Sequence, residues 1–118
     1  MDRKSEVAMD ENVVLCVSNA YEKKFYLDEA FQGLPQRIKD ELKIMCVLFT
    51  EDVGGILKLV FDEEGCLQIE TECAEEDLLY DEIGSGLLVK KMQRDKAELF
   101  ASLEMFFKVF YLGQDEED

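Results

Sequence analysis

The chain contains no histidine, which removes the commonest general base and the commonest zinc ligand from any account of its chemistry. Basic residues are scarce too: 13 lysines and arginines stand against 28 aspartates and glutamates, a formal charge of -15. Such a surface repels nucleic acid phosphates and anionic membranes, so the counterion release behind nonspecific nucleic acid binding has the wrong sign. Long apolar runs are missing as well. Residues 1–12 hold nothing that reads as a secretory signal, and no later stretch approaches the roughly 18 apolar residues of a membrane span. A cytoplasmic address without membrane contact is the expectation. Cys16, Cys46, Cys66 and Cys73 form no C-x-x-C pair. They read as reduced thiols, with no metal-ligand spacing among them. Cys16, Cys46 and Cys73 fall where the apolar pattern predicts burial, whereas Cys66 follows a turn glycine and is expected to be exposed.

What is present reads as one domain. An apolar share of 47% in 118 residues suffices for a single core that buries about two thirds of the unfolded chain's surface. The expected layout is a flexible leader at residues 1–12, an α+β domain over residues 13–113 and an acidic, disordered tail at residues 114–118. Val13 to Val17 and Phe25-Tyr26-Leu27 are short apolar runs around a polar turn containing Asn19, which predicts an opening hairpin. Pro35 then suits a first helical position, and Ile38, Leu42, Met45 and Phe49 recur at helical spacing up to Gly54-Gly55. The spacing predicts a helix from Pro35 to Val53. Residues 44–49 are six consecutive apolar residues, however, and also fit a buried strand.

Strict alternation marks the next segment. Leu57, Leu59 and Phe61, then Leu67, Ile69, Thr71 and Cys73, each take every second place, as half-buried strands do. Only an odd-length loop keeps both sets on one face. A three-residue loop, Glu63-Glu64-Gly65 with Gly65 left-handed, pairs Phe61 with Leu67 and Leu59 with Ile69, and sets Lys58 opposite Glu70 as an ion pair. Glu75 to Glu82 is an acidic connector whose Leu78, Leu79 and Tyr80, with Ile83, are expected to pack down. From Gly86 to Leu112 the helical period returns. Leu88, Met92, Leu99, Leu103, Phe106 and Phe110 make one stripe, while Phe100, Phe107 and Tyr111 make a second line rotated by about 100°. One sheet face does not need so wide an arc, so the second line is expected either to serve as an interface, most simply in a homodimer, or to be buried within the monomer beneath the opening hairpin or the acidic connector.

The remaining candidate sites are weak in spacing. Gly84-Ser85-Gly86 before a helix suggests a phosphate cradle, but no P-loop lysine follows and Asp81 and Glu82 precede it. Glu75, Glu76, Asp77, Asp81 and Glu82 offer oxygens to a hard cation without a calcium-loop pattern. Tyr21, Lys23 and Lys24 bring cationic and phenolic groups together at the first hairpin. No catalytic constellation is complete, and no cofactor or metal is implied.

The segments Ser18-Asn19-Ala20-Tyr21-Glu22-Lys23-Lys24-Phe25-Tyr26, Thr50-Glu51-Asp52-Val53-Gly54-Gly55, Phe61-Asp62-Glu63-Glu64-Gly65 and Leu79-Tyr80-Asp81-Glu82-Ile83-Gly84 resemble a family of small acidic bacterial proteins, a domain of unknown function. The resemblance spans nearly the whole chain outside leader and tail, and implies no activity, ligand or catalytic residue. In size, acidity and mixed content the chain is also similar to dimeric chaperones that hold secretion substrates, an analogy at the level of fold.

These readings combine into an α+β domain, β-β-α-β-β-α, with two antiparallel hairpins in one sheet, a central helix and a long C-terminal helix on one face, and the other face open. The function expected is a non-catalytic acidic protein-interaction module, self-associating or meeting a basic protein. The alternative is a small-molecule-binding or enzymatic domain with its pocket between sheet and helices. The charge excess carries its own consequence: screening should stabilise the compact state. Thermal midpoints at neutral pH should rise with moderate sodium chloride, and a flat or falling series would mean that local ion pairs outweigh the global repulsion.

Overall fold

The computed structural model of the protein describes residues 12–113. The tail at residues 114–118, and the leader apart from Asn12, lie outside the described residues. β-Branched Val13, Val14 and Val17 favour extended backbone, and β1 (Val13–Asn19) folds back on β2 (Lys24–Leu27) as the expected antiparallel hairpin. The Asn19 side chain shapes the turn by accepting the N–H groups of Tyr21 and Glu22 at 2.9 and 3.1 Å. Lys23 completes it in the left-handed region at φ 57°.

Pro35 stands just before α1 (Gln36–Val53), and its carbonyl accepts the N–H groups of Ile38 and Lys39 at 3.0 Å each. Residues 44–49 are helical. The period of the full segment therefore prevails over the local apolar run, and it splits that run: Met45, Cys46 and Phe49 are buried while Ile44 and Leu48 are each 59% exposed. Gly54 ends the helix at φ 81°, where a left-handed glycine returns its N–H to the Thr50 carbonyl at 2.8 Å.

β3 (Ile56–Phe61) and β4 (Leu67–Glu72) complete a four-stranded antiparallel sheet of order β2-β1-β3-β4. The register pairs Phe61 with Leu67, Leu59 with Ile69 and Lys58 with Glu70, as the alternation requires. Gly65 is left-handed at φ 87°. Asp62 holds the loop, its carboxylate accepting the N–H groups of Glu64 and Cys66 at 2.9 Å each. The Lys58 ammonium reaches Glu72 at 2.9 Å rather than the Glu70 directly opposite, because a long side chain spans the diagonal as readily as the direct pair. A bulge between Val14 and Cys16 adds Leu15 to the buried face. The opposite face is not uniformly open: Val60, between Val14 and Gln68, is only 2% exposed.

The expected single C-terminal helix is two helices, α2 (Glu82–Asp95) and α3 (Ala97–Phe106), followed by a π-helical turn, Phe107–Tyr111. The order is thus β-β-α-β-β-α-α. Lys96 breaks the helix at φ -112°, ψ 24°, and its ammonium bonds Glu41 of α1 at 2.9 Å. The π turn spaces its hydrogen bonds five residues apart, with the Leu112 N–H on the Phe107 carbonyl at 3.0 Å. Both irregularities reset the helical phase. Met92, Leu99 and Leu103 are buried, and Leu88 and Phe106 pack against the core as their stripe predicts, but Phe110 is 74% exposed and Phe107 is only 1% exposed. Phe107 lies flat on Phe61, centroids 4.2 Å apart and planes at 8°. Phe31, delivered by a single 3-10 turn at Glu29–Phe31, sits 5.7 Å from Phe61 and 6.3 Å from Phe107.

Two glycines separate local propensity from packing. A Cβ at Gly86, inside α2, meets nothing within 4 Å, whereas one at Gly55 (φ +75°) meets the Glu72 carbonyl and the Tyr80 ring at 2.6 Å. Gly86→Ala should stabilise the protein by about 1 kcal/mol through helix propensity. Gly55→Ala should destabilise it by more than that. Urea midpoints of the two variants check both signs.

Candidate functional site

Of the connector's apolar side chains only Tyr80 packs down, half-buried with its ring against Gly55. Leu78, Leu79 and Ile83 are 91%, 93% and 78% exposed. Polar atoms tether the connector instead, which is why its leucines are free to face outward. The Tyr21 hydroxyl donates to the Asp77 carboxylate at 2.6 Å and accepts the Ala74 N–H at 2.9 Å. The Tyr80 hydroxyl donates to the buried Ser85 at 2.7 Å. Leu87 follows Ile83 by one helical turn on the same outer face of α2 and is also exposed. Glu75, Glu76, Asp81 and Glu82 stand exposed around these side chains, so apolar studs project from a strongly negative surface.

Gly84-Ser85-Gly86 lies inside α2 rather than ahead of it, and Asp81 caps the helix by accepting the Gly84 N–H at 2.9 Å. That carboxylate takes the place an anion would need. Among the described residues, no three acidic or thiol side chains are placed to hold a metal ion.

Phe100, Phe107 and Tyr111 do not form one outer line. Phe107 is consumed by the core, Phe100 packs partly against it, and Tyr111, 49% exposed, sets its ring edge against Phe31 and Phe107. The aromatic that does project is Phe110, beside Tyr111 and Leu112. Cys16 and Cys46 are buried as expected, their sulfurs 4.0 Å apart. The contact with Cys46 and burial hold the Cys16 thiol well above its ordinary pKa, which makes it a poor nucleophile. The other two thiols reverse the expectation: Cys73 is exposed and Cys66 half-buried. Cys73 falls one residue past the end of β4, where the strand alternation no longer applies.

Three depressions flank these surfaces. A cleft of about 630 Å³ collects Lys23 and Lys24 from the first hairpin with Lys43 from α1, over Ser18 and Thr50, which share a buried hydroxyl hydrogen bond of 2.8 Å. Lys43 belongs to it only through the tertiary fold, and no local pattern marks it. A smaller apolar groove of about 190 Å³ runs between α1 and α2 past Leu48, Leu88 and Met92. The third, about 510 Å³, lies between the edge strand β4 and α2, with Ile69, Thr71, Gly86 and Val89 in its walls. α2 is therefore a ridge with a groove on each flank.

The hydrogen bond to Asp77 raises the pKa of Tyr21 above its ordinary value near 10. A raised folded value means that the tether contributes stability below the unfolded pKa and loses it as pH rises through the folded one. NMR titration of the tyrosine ring carbons should show Tyr21 deprotonating at higher pH in the native chain than in Asp77→Asn. Tyr21→Phe should strip the Ala74 amide of its exchange protection. Equal titration in the two chains would mean that the hydroxyl does not bind Asp77.

No curated protein and no solved structure matches the chain. A family model matches residues 12–115, and the chain belongs to that family, a family of unknown function (DUF6145).

Proposed function

We propose that this member of a family of unknown function is a non-catalytic protein-interaction module that presents an acidic, apolar-studded surface to a basic partner. The observation that carries the reading is the exposure of Leu78, Leu79 and Ile83 amid Glu75, Glu76, Asp81 and Glu82. Leucines left outside a tethered connector cost solvation and add nothing to the core, and contiguous exposed apolar side chains with a polar rim are what binding surfaces present. The negative field favours cationic partners and speeds their encounter. Four free thiols fit a reducing, cytoplasmic setting for it. Self-association belongs to the same proposal, through Phe110 and Tyr111 rather than Phe107. A homodimer formed there would shift to a folded monomer on Phe110→Glu in sedimentation equilibrium.

A specific observation also favours a second reading, the binding of a small anion in the cleft of Lys23, Lys24 and Lys43, whose local charge opposes that of the chain as a whole. One experiment separates the two. A photo-crosslinking residue at Leu79 or Ile83 should give discrete protein adducts in cells, lost when Leu78 and Leu79 are replaced by serine, while the same residue at Lys43 gives none. Adducts absent from the connector, together with a small anion retained by the native protein and released by Lys43→Ala, would overturn the module reading in favour of the second.

A further inference from the structure

The exposed edge of the sheet specifies how such a partner attaches. Asp62 donates its N–H to the Cys66 carbonyl at 2.9 Å, which fixes the parity of the β3–β4 ladder. Counting in twos from that pair, Gln68, Glu70 and Glu72 exchange hydrogen bonds with β3, whereas Leu67, Ile69 and Thr71 turn their N–H and C=O groups outward. The Leu67 N–H confirms this parity, since it donates outward to the Glu104 carboxylate of α3 at 2.7 Å. That side chain closes one end of the edge. Among the described residues nothing pairs with the amides of Ile69 and Thr71, and the groove of about 510 Å³ beside α2 is walled by these same two residues.

We propose that β4 is a strand-addition site, at which an extended segment of a partner protein, alternating apolar and basic residues, adds as a fifth strand in the groove between β4 and α2. The inference rests on the interaction-module reading and names its mode of binding. Main-chain bonds to Ile69 and Thr71 supply the affinity, and alternate side chains supply the selectivity. On the helix side the added strand meets Ile69, Val89 and the bare Cα of Gly86, which suit valine-sized apolar side chains, in a groove whose walls also carry Glu82, Lys90 and Gln93. On the other side it meets the exposed Gln68, Glu70 and Glu72, which suit lysine or arginine. A second copy of the chain is excluded as occupant by the same row. Pairing β4 with itself would set Glu70 and Glu72 against their equivalents between two bodies of charge -15, and like charges across a strand pair are destabilising.

The probe is a short synthetic peptide alternating lysine and valine, titrated into the full chain and followed by the backbone amide shifts of Ile69 and Thr71. Controls are the same peptide N-methylated on the amides that would face β4, and two protein variants. Thr71→Pro removes an outward N–H and leaves every β3–β4 ladder bond intact, a substitution that edge strands tolerate. Gly86→Leu fills the groove from a position with free space around its Cβ, and should leave the protein at least as stable as the parent. Strand addition predicts that N-methylation and each variant weaken binding by about tenfold or more. Binding undiminished by N-methylation, Thr71→Pro and Gly86→Leu would overturn it. If that same binding were lost when Leu78 and Leu79 became serine, the module reading would stand while strand addition fell. Absence of binding to any of these chains would overturn both.

Discussion

Phe107 lies on Phe61 with its ring nearly parallel and 4.2 Å away, and this stack seats the end of the C-terminal third on the sheet, beyond the buried Met92, Leu99 and Leu103. Phe61 is the last residue of β3, a strand whose core-facing side chains are fully buried. Phe107 opens the π turn after α3. Phe31 fills the angle between them and also meets Phe106 and Tyr111. Aromatic pairs of this kind contribute about 0.5–1.5 kcal/mol beyond their buried area. The loop before α1, the sheet and the C-terminal helices therefore meet at one cluster.

That cluster has a consequence for the surface. With Phe107 drawn inward, α3 is held over the start of β4, where Glu104 takes the Leu67 N–H. α2 then runs back from Lys96 with Met92 inward and Ile83 and Leu87 outward. The connector must bridge from the end of β4 to the start of α2, and Tyr21, from the opposite hairpin, holds it by Ala74 and Asp77. Exposed leucines, the outward-facing edge of β4 and the groove beside α2 all follow from where the aromatic cluster sets the helices. The acidic composition then decides what such a surface attracts.

Strand register was legible in the sequence because side-chain alternation has period two, so a single loop length satisfied both Leu57-Leu59-Phe61 and Leu67-Ile69-Thr71. The helix over residues 36–53 was legible because its inward positions, Ile38, Leu42, Met45 and Phe49, keep the helical spacing over about three turns. The far end was not. Lys96 is a good helix former with no glycine or proline beside it, so nothing local announces the break, and a phase carried past it from Leu88 assigns Phe107 and Phe110 to each other's roles. Phe31 escaped notice because a lone aromatic in a loop has no period. Asp62 escaped because its work is done by hydrogen bonds to Glu64 and Cys66 within a turn already recognised from Gly65. At the candidate site, the carboxylates and leucines of the connector were visible, but their exposure depends on Tyr21, 53 residues before Ala74 in the chain. Neither composition nor spacing carries such a contact.

The coupling between Phe61 and Phe107 is open to direct measurement. A double-mutant cycle with Phe61→Leu and Phe107→Leu, read from urea unfolding of the full chain, measures it directly, since leucine keeps an apolar group in each place and removes the ring face. A favourable coupling of about 0.5–1.5 kcal/mol is the predicted result. Additive losses, with no coupling between the two sites, would contradict the stack as the contact that seats the end of the C-terminal third on the sheet.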